Sequence, residues 1–303
     1  MQINLQRAKK SDRIMRALTG LDTNAFDQLV KPFGQVLNKL IAQQAALQPR
    51  ERAVGGGRTH TLKTIEEKLF FILFYLKVYP TFDLAGFFYD VDRSQCCHWV
   101  HFLMPVLQET LGRELVLPKR KIKSVEEFIQ LFPDVKDIFI DGTERPVQRP
   151  KKQKQQEQHF SGKRRRHTKK NITVSDPGKR ILVLTKTKPG KHHDYDLFKK
   201  SELPEKIPKQ VGAWFDLGFK GADTHYDLSC VMPHKKSKNN PLTDEQIQDN
   251  RVISGIRVKA EHAIAGVKRL NCVTQVFRNR KENVADTFML LACGIWNYHL
   301  KTV

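Results

Sequence analysis

The fold is decided by residues 135–142, which have the sequence VKDIFIDG. The apolar run at residues 138–140 is typical of a buried β-strand. Asp141 follows this run, and Gly142, which has no Cβ, lets a ligand approach the backbone closely. A carboxylate at the end of a strand is well placed to bind a metal ion. We therefore expect Asp141 to be a metal ligand.

The same arrangement occurs again further along the chain. Residues 211–215 (VGAWF) predict another strand, and Asp216 follows it directly, with Gly218 and Gly221 in the turn after it. Two aspartates at the ends of strands in one sheet can converge on a single site. We therefore expect Asp216 to lie beside Asp141.

A helix is predicted to supply a third carboxylate. Arg257, Glu261 and Lys268 form one stripe of this helix, about 100° from its apolar stripe. Glu261 is thus expected at the edge of the buried face. There it would bind metal, and Arg257 and Lys268 on either side of it would bind phosphate. The apolar stripe consists of Ile253, Ile256, Ala260, Ala263, Val267 and Leu270.

These residue types suit the cleavage of phosphodiester bonds. Mg²⁺ and Mn²⁺ prefer hard oxygen ligands, and in two-metal sites the ions lie roughly 3.5–4 Å apart. One ion would activate water or a DNA 3′-hydroxyl, while the other stabilises the leaving oxygen. Each acid taken alone is more often a cap, a turn residue or an ion-pair partner, so the prediction depends on the three together.

The segment that follows Leu117 has the pattern of a mixed α/β domain. Besides the two strands above, strands are predicted at residues 172–174 and 181–184, with a tight turn at residues 175–178 (SDPG) between them. A helix is expected around residues 195–201. We assign residues 118–303 to the catalytic domain.

Residues 1–117 are predicted to form an all-α, DNA-binding domain, with a seam at residues 55–57 (GGG). The region of about 60–110 predicts three helices joined by tight turns. The first of these begins near Thr64 and ends at Pro80.

The other two helices of this region suggest how the domain meets DNA. One covers residues 82–89, and the next begins after Asp92 as its N-cap, with Gln95 as a capping-box partner. In a helix-turn-helix unit the last helix lies in the major groove, where Arg93, Gln95 and His98 would reach base edges. A small helical bundle without this role gives the same pattern, so both interpretations stay open.

The charge of the chain indicates a polyanionic partner. The sequence has 53 Lys and Arg against 32 Asp and Glu, a formal charge of +21. The alternatives are a merely basic globular protein or one that binds anionic membrane. Residues 151–170 carry nine Lys or Arg against one acid, Glu157, so this run is expected to contact phosphates or to be a solvated loop, and not to form a buried strand. No apolar stretch reaches the roughly 20 residues that span a bilayer.

Four stretches resemble motifs of one known family. Residues 139–147 (FIDGTERPV) resemble the first-Asp motif of DDE transposases in the Harbinger-like branch of bacterial insertion-sequence family five. Residues 159–168 (HFSGKRRRHT) resemble its Tyr-Ser-Gly-Lys-Lys-Lys-x-His-Thr segment, and residues 216–221 (DLGFKG) its second-Asp motif. The helical stripe described above fits its Arg, three residues, Glu, six residues, Lys signature.

The resemblance implies a fold, an activity and partners. It implies an RNase H-like catalytic domain in which Asp141, Asp216 and Glu261 bind two Mg²⁺ ions, with Mn²⁺ as a substitute. The implied substrate is double-stranded DNA, both the terminal inverted repeats of a transposon and the target. We expect a homodimer on DNA, located in the bacterial cytoplasm with the nucleoid and not at a membrane. The residues expected to contact DNA are Arg257, Lys268, Lys163, Arg164, Arg165, Arg166, Arg93, Gln95 and His98.

The chain departs from the family pattern at two positions. Ser254 stands where the wider signature often has Tyr, and the aromatic residue before the Ser-Gly-Lys segment is Phe160. Asp194, in a His-Asp pair, is interpreted as an N-cap rather than a fourth acid of the site. The alternatives to an active transposase are a transposase-derived DNA-binding regulator and a nuclease that cuts DNA without joining it.

Overall fold

The computed structural model describes residues 3–47, 61–237 and 241–303, so the seam predicted at residues 55–57 lies outside the described residues. The chain divides into two compact units. The helical unit consists of Met1–Leu117, Arg269–Gln275 and Leu291–Val303, and the sheet unit consists of Pro118–Lys268 and Val276–Leu290. The division drawn from the sequence differs from this, because it keeps both C-terminal segments with the catalytic domain.

Polar contacts explain why the last segment belongs to the helical unit. The side-chain amide of Asn297 donates a hydrogen bond to the carbonyl of Val116 at 2.8 Å, and the Tyr298 hydroxyl donates to the carbonyl of Ala25 at 3.3 Å. These residues are buried, so their polar groups need partners inside the protein. The helices of this unit that precede Leu117 are α1 (Leu5–Lys9), α2 (Asp12–Thr19), α3 (Thr23–Leu47), α4 (Ile65–Val78), α5 (Phe82–Tyr89) and α6 (Arg93–Arg113).

Helices α4, α5 and α6 form the predicted three-helix region. Thr64 caps α4 in a capping box with Glu67, and the ring of Phe71 packs edge-on against Tyr89 and Trp99 of the other two helices. Asp92 caps α6 as predicted, but its carboxylate accepts from the amide of Ser94 at 2.7 Å rather than forming a capping box with Gln95. Local sequence signals therefore set the ends of these helices.

Three residues predicted to reach DNA bases lie in the first turns of α6. Arg93 and His98 are exposed, whereas Gln95 is half-buried. The ring of His98 stacks on Phe102 one turn later, with ring centroids 6.1 Å apart.

The sheet unit combines strands with helices, as the sequence predicts. Its elements are α7 (Val125–Leu131), β1 (Asp137–Pro146), α8 (Gln153–His159), β2 (Phe160–Ser161), β3 (Arg166–Ser175), β4 (Ile181–Leu184), β5 (Lys188–Pro189), α9 (Asp194–Lys200), β6 (Gly212–Trp214), α10 (Ala222–His225), β7 (Ser229–Val231), α11 (Asp244–Val267) and the start of α12 (Val284–Thr302). Strands β2 to β5 follow one another without a helix between them.

The sheet is mixed, with β1 at its centre. Strand β1 pairs antiparallel with β3 and parallel with β6, and β7 continues the sheet parallel to β6. Strands β2, β4 and β5 all pair antiparallel with β3. Ile138 and Ile140 of β1 enter a core that also includes Phe198 of α9 and Phe215. The predicted RNase H-like α/β class fits this arrangement.

Two strands are longer than the sequence analysis predicts. Strand β1 continues past Asp141 to Pro146, because β3 pairs with it all the way from Phe139. The prediction that the basic run forms no buried strand is wrong at its end, since residues 166–170 lie in β3 and Lys170 is buried. Lys170 can be buried because it has two carboxylate partners there.

Among the described residues, none of the helices has both the length and the apolar character that crossing a membrane requires.

Candidate active site

The register of two parallel strands brings Asp141 and Asp216 together. In the pairing of β1 with β6, Phe139 lies opposite Trp214. Asp141 lies two residues after Phe139, and Asp216 lies two residues after Trp214. Side chains two residues apart point to the same face, and adjacent strands lie roughly 4.8 Å apart. The two carboxylates are therefore neighbours at one edge of the β1–β6 ladder, although Asp141 lies within β1 and not at its end.

The local backbone holds each carboxylate in place. Asp141 accepts a hydrogen bond from the amide of Gly142 at 2.7 Å. Asp216 caps a 3-10 turn at Leu217–Phe219 and accepts from the amide of Gly218 at 2.8 Å. The aspartates are thus fixed by bonds that the Asp-Gly and Asp-Leu-Gly sequences themselves supply.

The electrostatics of this pair suit a hard cation. Burial, and next the negative charge of Asp216, raise the pKa of Asp141 to about 6, and Asp194 acts in the same direction. The hydrogen bond from Gly142 and the charge of Arg257 oppose this rise only in part. The negative charge of Asp216 disfavours the ionisation of Asp141, and a divalent cation held by the two carboxylates would offset this effect, so the donor set fits Mg²⁺ or Mn²⁺.

Helix α11 carries the other predicted residues past Asp141. The helix contacts β1, and its buried face includes Ala260, Ala263 and Val267 of the predicted apolar stripe. Of the rest of that stripe, Ile253 and Ile256 are only half-buried, and Leu270 lies beyond the end of the helix. The charge of Arg257, near the middle of the helix, acts to lower the pKa of Asp141. The pKa of Lys268 is lowered, chiefly by burial, and the negative charge of Asp141 opposes this change. Asp141 therefore lies alongside the stretch of α11 from Arg257 to Lys268.

Glu261 lies on this stretch but is exposed. Within residues 3–47, 61–237 and 241–303, no group of three or more His, Cys, Asp or Glu side chains is placed to hold a metal ion. The structure thus brings Asp141 and Asp216 together and places Arg257 and Lys268 near Asp141, but it does not bring Glu261 into a three-acid cluster among the described residues.

The predicted basic loop lies near the same helix end. Lys163, Arg164, Arg165 and Arg166 are all exposed. Arg164 is close enough to Lys268 to lower its pKa, and the amide of Arg164 donates to the Ser161 hydroxyl at 3.3 Å. Two of the regions predicted to contact phosphate therefore adjoin one another.

The sequence analysis missed a buried ion-pair network behind Asp141. The Lys170 ammonium lies 3.2 Å from the Glu144 carboxylate and 3.0 Å from that of Asp194. The prediction that Asp194 is an N-cap is wrong, because His193 occupies the cap position and Asp194 is the first residue of α9. A Cβ at Gly142 would collide with the Asp194 carboxylate, so only glycine permits this approach. The sequence shows that Glu144 and Lys170 carry opposite charges, but it does not show that the register of β1 and β3 places them opposite each other.

A second contact from α9 anchors the turn that carries Asp216. The Tyr195 hydroxyl donates to the carbonyl of Gly221 at 2.9 Å and lies 2.8 Å from Nδ1 of His225. Gly221 adopts a φ of 104°, in the left-handed region that favours glycine. The first turn of α9 therefore contacts both aspartate-bearing segments, through Asp194 and Tyr195. No local pattern in the sequence signals this.

The raised pKa of Asp141 predicts how the stability of the metal-free protein changes with pH. Because the folded state holds this proton more tightly than the unfolded chain, whose carboxyl titrates near 3.8, the stabilising effect is complete below pH 4 and lost as the pH rises through about 6. The loss is about 3 kcal/mol, because the pKa rises from 3.8 to about 6 and each pKa unit corresponds to about 1.4 kcal/mol. Asp141→Asn should therefore unfold at higher urea concentration than wild type at pH 7 in EDTA, with a smaller difference near pH 4. A difference that does not change with pH would contradict this.

Comparison with known proteins agrees with the fold. Residues 140–297 match the family model described as DDE superfamily endonuclease, and residues 60–113, which contain α4, α5 and α6, match the model described as the helix-turn-helix of DDE superfamily endonuclease. The predicted helix-turn-helix and α/β catalytic domain are thereby confirmed.

One relative covers most of the chain. The probable transposase for insertion sequence element IS702 of Microchaete diplosiphon is 30% identical over 237 residues, which are 78% of this chain and 81% of that protein. No solved structure matches the chain significantly. With one family model over more than half its length and a relative of this identity, the chain belongs to the DDE superfamily endonucleases.

Proposed function

We propose that the protein is a transposase that cuts DNA at the ends of a transposon and joins those ends to target DNA. The observation that carries the proposal is the register of β1 and β6, which makes neighbours of Asp141 and Asp216 in a DDE endonuclease fold. The printed name of the relative, a probable transposase, supports the same function.

Asp141, Asp216 and Glu261 are proposed to hold two Mg²⁺ ions, for which Mn²⁺ can substitute. When bound, such ions supply an activated water or 3′-hydroxyl and stabilise the leaving oxygen of an in-line displacement. The position of Glu261 supports its role, because it lies one turn after Arg257 on the stretch of α11 that passes Asp141. Its carboxylate has to turn toward the aspartates, and cations there would offset the repulsion among the three acids.

The cations around the aspartates are proposed to hold the DNA. Arg257, Lys268 and the basic loop at residues 163–166 neutralise phosphates near the bond that is cut, since charge-assisted hydrogen bonds to phosphate are short and strong. Lys170 pairs with Glu144 and Asp194 behind β1 and thereby offsets part of their negative charge, although Asp194 still raises the pKa of Asp141.

The helix-turn-helix is proposed to supply recognition of the terminal inverted repeats. Arg93 and His98 are proposed to contact base edges, which is supported by their exposure at the start of α6, and Gln95 is partly accessible beside them. Two copies of the chain acting as a homodimer would hold both transposon ends at once. We propose that the protein acts on the bacterial nucleoid, because its substrate is DNA.

Cutting and joining can be tested separately. The purified protein is incubated with labelled duplexes that carry the inverted repeats flanking its gene, in Mg²⁺ or in EDTA. We expect Mg²⁺-dependent cleavage at the repeat, and joining of pre-cleaved ends to a supercoiled plasmid. Cleavage without joining would show a nuclease, and repeat binding without cleavage would show a regulator. Either result would overturn the proposed function.

A further inference from the structure

The sheet unit has a cavity of about 750 Å³ beyond the C-terminal end of β1, which we call the β1 groove. Its walls come from two segments distant in sequence, residues 147–159 and residues 277–286. Backbone hydrogen bonds fasten the segments together: the amide of Phe277 donates to the carbonyl of Pro146 at 2.9 Å, and that of Gln148 donates to the carbonyl of Phe277 at 3.4 Å. The groove is therefore built into the fold.

The lining of the β1 groove is strongly basic. Its two acids are Glu282 and Asp286, and Asp286 is already paired with Arg120 at 2.6 Å. The Arg149 guanidinium donates to Gln156, a neutral amide, so its charge is not compensated by that contact. The six cations of the lining are Arg149, Lys151, Lys152, Lys169, Arg280 and Lys281.

The floor of the groove is formed by Lys169. Lys169, in β3 opposite Arg145, is half-buried with its ammonium 5.9 Å from the ring centre of Phe277. Burial, and next the charge of Arg145, lower the pKa of Lys169. A polyanion in the groove would relieve this repulsion, whereas an apolar or cationic ligand would not.

The position of the groove relative to Asp141 indicates which polyanion it binds. Asp141 and Pro146 are five residues apart in β1, which corresponds to roughly 17 Å at 3.3 Å per residue. A DNA duplex advances about 3.4 Å per base pair, so this distance is about five base pairs. A duplex whose scissile bond lies at Asp141 can thus reach the groove with its flanking backbone.

We propose that the β1 groove binds the sugar-phosphate backbone of the DNA duplex about five base pairs from the bond that is cut. The inference deepens the proposed function and rests on it, because the position of the scissile bond is taken from Asp141. Three of its cations, Lys151, Lys152 and Lys169, belong to the run at residues 151–170 for which the sequence analysis expected phosphate contacts. The structure adds Arg149, Arg280 and Lys281 to them and gives the groove a position along the duplex.

A charge-matched pair of variants tests the groove. Lys151→Ala with Lys152→Ala removes two exposed cations from one wall. The control, Lys121→Ala with Lys209→Ala, removes two exposed cations of the same unit whose charges are already paired with Glu202 and Asp227. Duplex binding is measured in EDTA over a range of salt concentrations, so that no cleavage is required. Arg280→Ala with Lys281→Ala repeats the test on the other wall.

The groove variants should weaken binding roughly tenfold and reduce the log–log salt slope by about two, equally for a terminal repeat and a scrambled duplex. The control should change the slope by much less. Equal changes in both pairs would mean that only net charge matters, and would overturn the proposal. A loss confined to the terminal repeat would overturn it as well, because backbone contacts do not read sequence.

Trimming the DNA locates the contact. Each flank of the scissile position is shortened in turn from about ten base pairs to about three. For one of the two flanks, shortening should lower the salt slope of the wild type and of the control variant. The salt slope of the groove variants should not change. If the groove variants lose as much as wild type on trimming, the contact lies elsewhere. Inorganic polyphosphate should displace DNA more readily from the wild type than from the groove variants. Equal displacement from both would exclude the groove as the binding site. A protein that binds DNA through the groove but never cuts it would refute the proposed function alone.

Discussion

Asp141→Ala is expected to reduce cleavage of transposon-end DNA by about a thousandfold or more. The carboxylate of Asp141 adjoins that of Asp216, and its loss removes half of the acid pair that the β1–β6 register creates. The measurement is the initial rate of Mg²⁺-dependent cleavage of a labelled duplex under single-turnover conditions. DNA affinity in EDTA should fall little or even rise, because a negative charge near the phosphate is removed.

The control for this experiment is Asp134→Ala. Asp134 is exposed, lies in the same unit and precedes β1, so its loss changes the net charge equally without touching the acid pair. Its cleavage rate should stay within about twofold of wild type, as for surface substitutions in general. If the two variants cleave equally well, Asp141 is not part of the catalytic site.

Glu261→Gln is expected to reduce cleavage by about a hundredfold or more, although Glu261 is exposed and Gln keeps its size. An exposed glutamate on a helix usually contributes little to stability, so a large loss of rate with unchanged unfolding would assign it to chemistry. The variant should also bind Mg²⁺ more weakly, measured by calorimetry with the protein alone.

Glu245→Gln is the matched control, since Glu245 is an exposed glutamate in the first turn of the same helix. It should cost at most a few tenths of a kcal/mol through the helix dipole and leave cleavage unchanged. A Glu261→Gln protein that cleaves at the wild-type rate would leave the site with two acids, and the proposed two-metal chemistry would be wrong.

The sequence by itself determined the local elements and the residue types of the candidate site. The apolar run at residues 138–140, the strand at residues 181–184 and the N-caps Thr64 and Asp92 could all be predicted, because strand and helix ends depend on neighbours a few residues away. Asp141 and Asp216 could be paired for the same reason, since each directly follows an apolar run that predicts a strand.

The tertiary structure alone decided the register, the burial of charge and the membership of the C-terminal segments. Strand β1 extends to Pro146 because β3 pairs with it, and Lys170 is buried because Glu144 and Asp194 come to it from other elements. From the sequence alone, a basic run is expected to be exposed to solvent, because the carboxylates that could pair with it are distant in the chain. Pairing between distant segments produces no periodic pattern in the sequence of either one, so only the folded structure shows which segments pair.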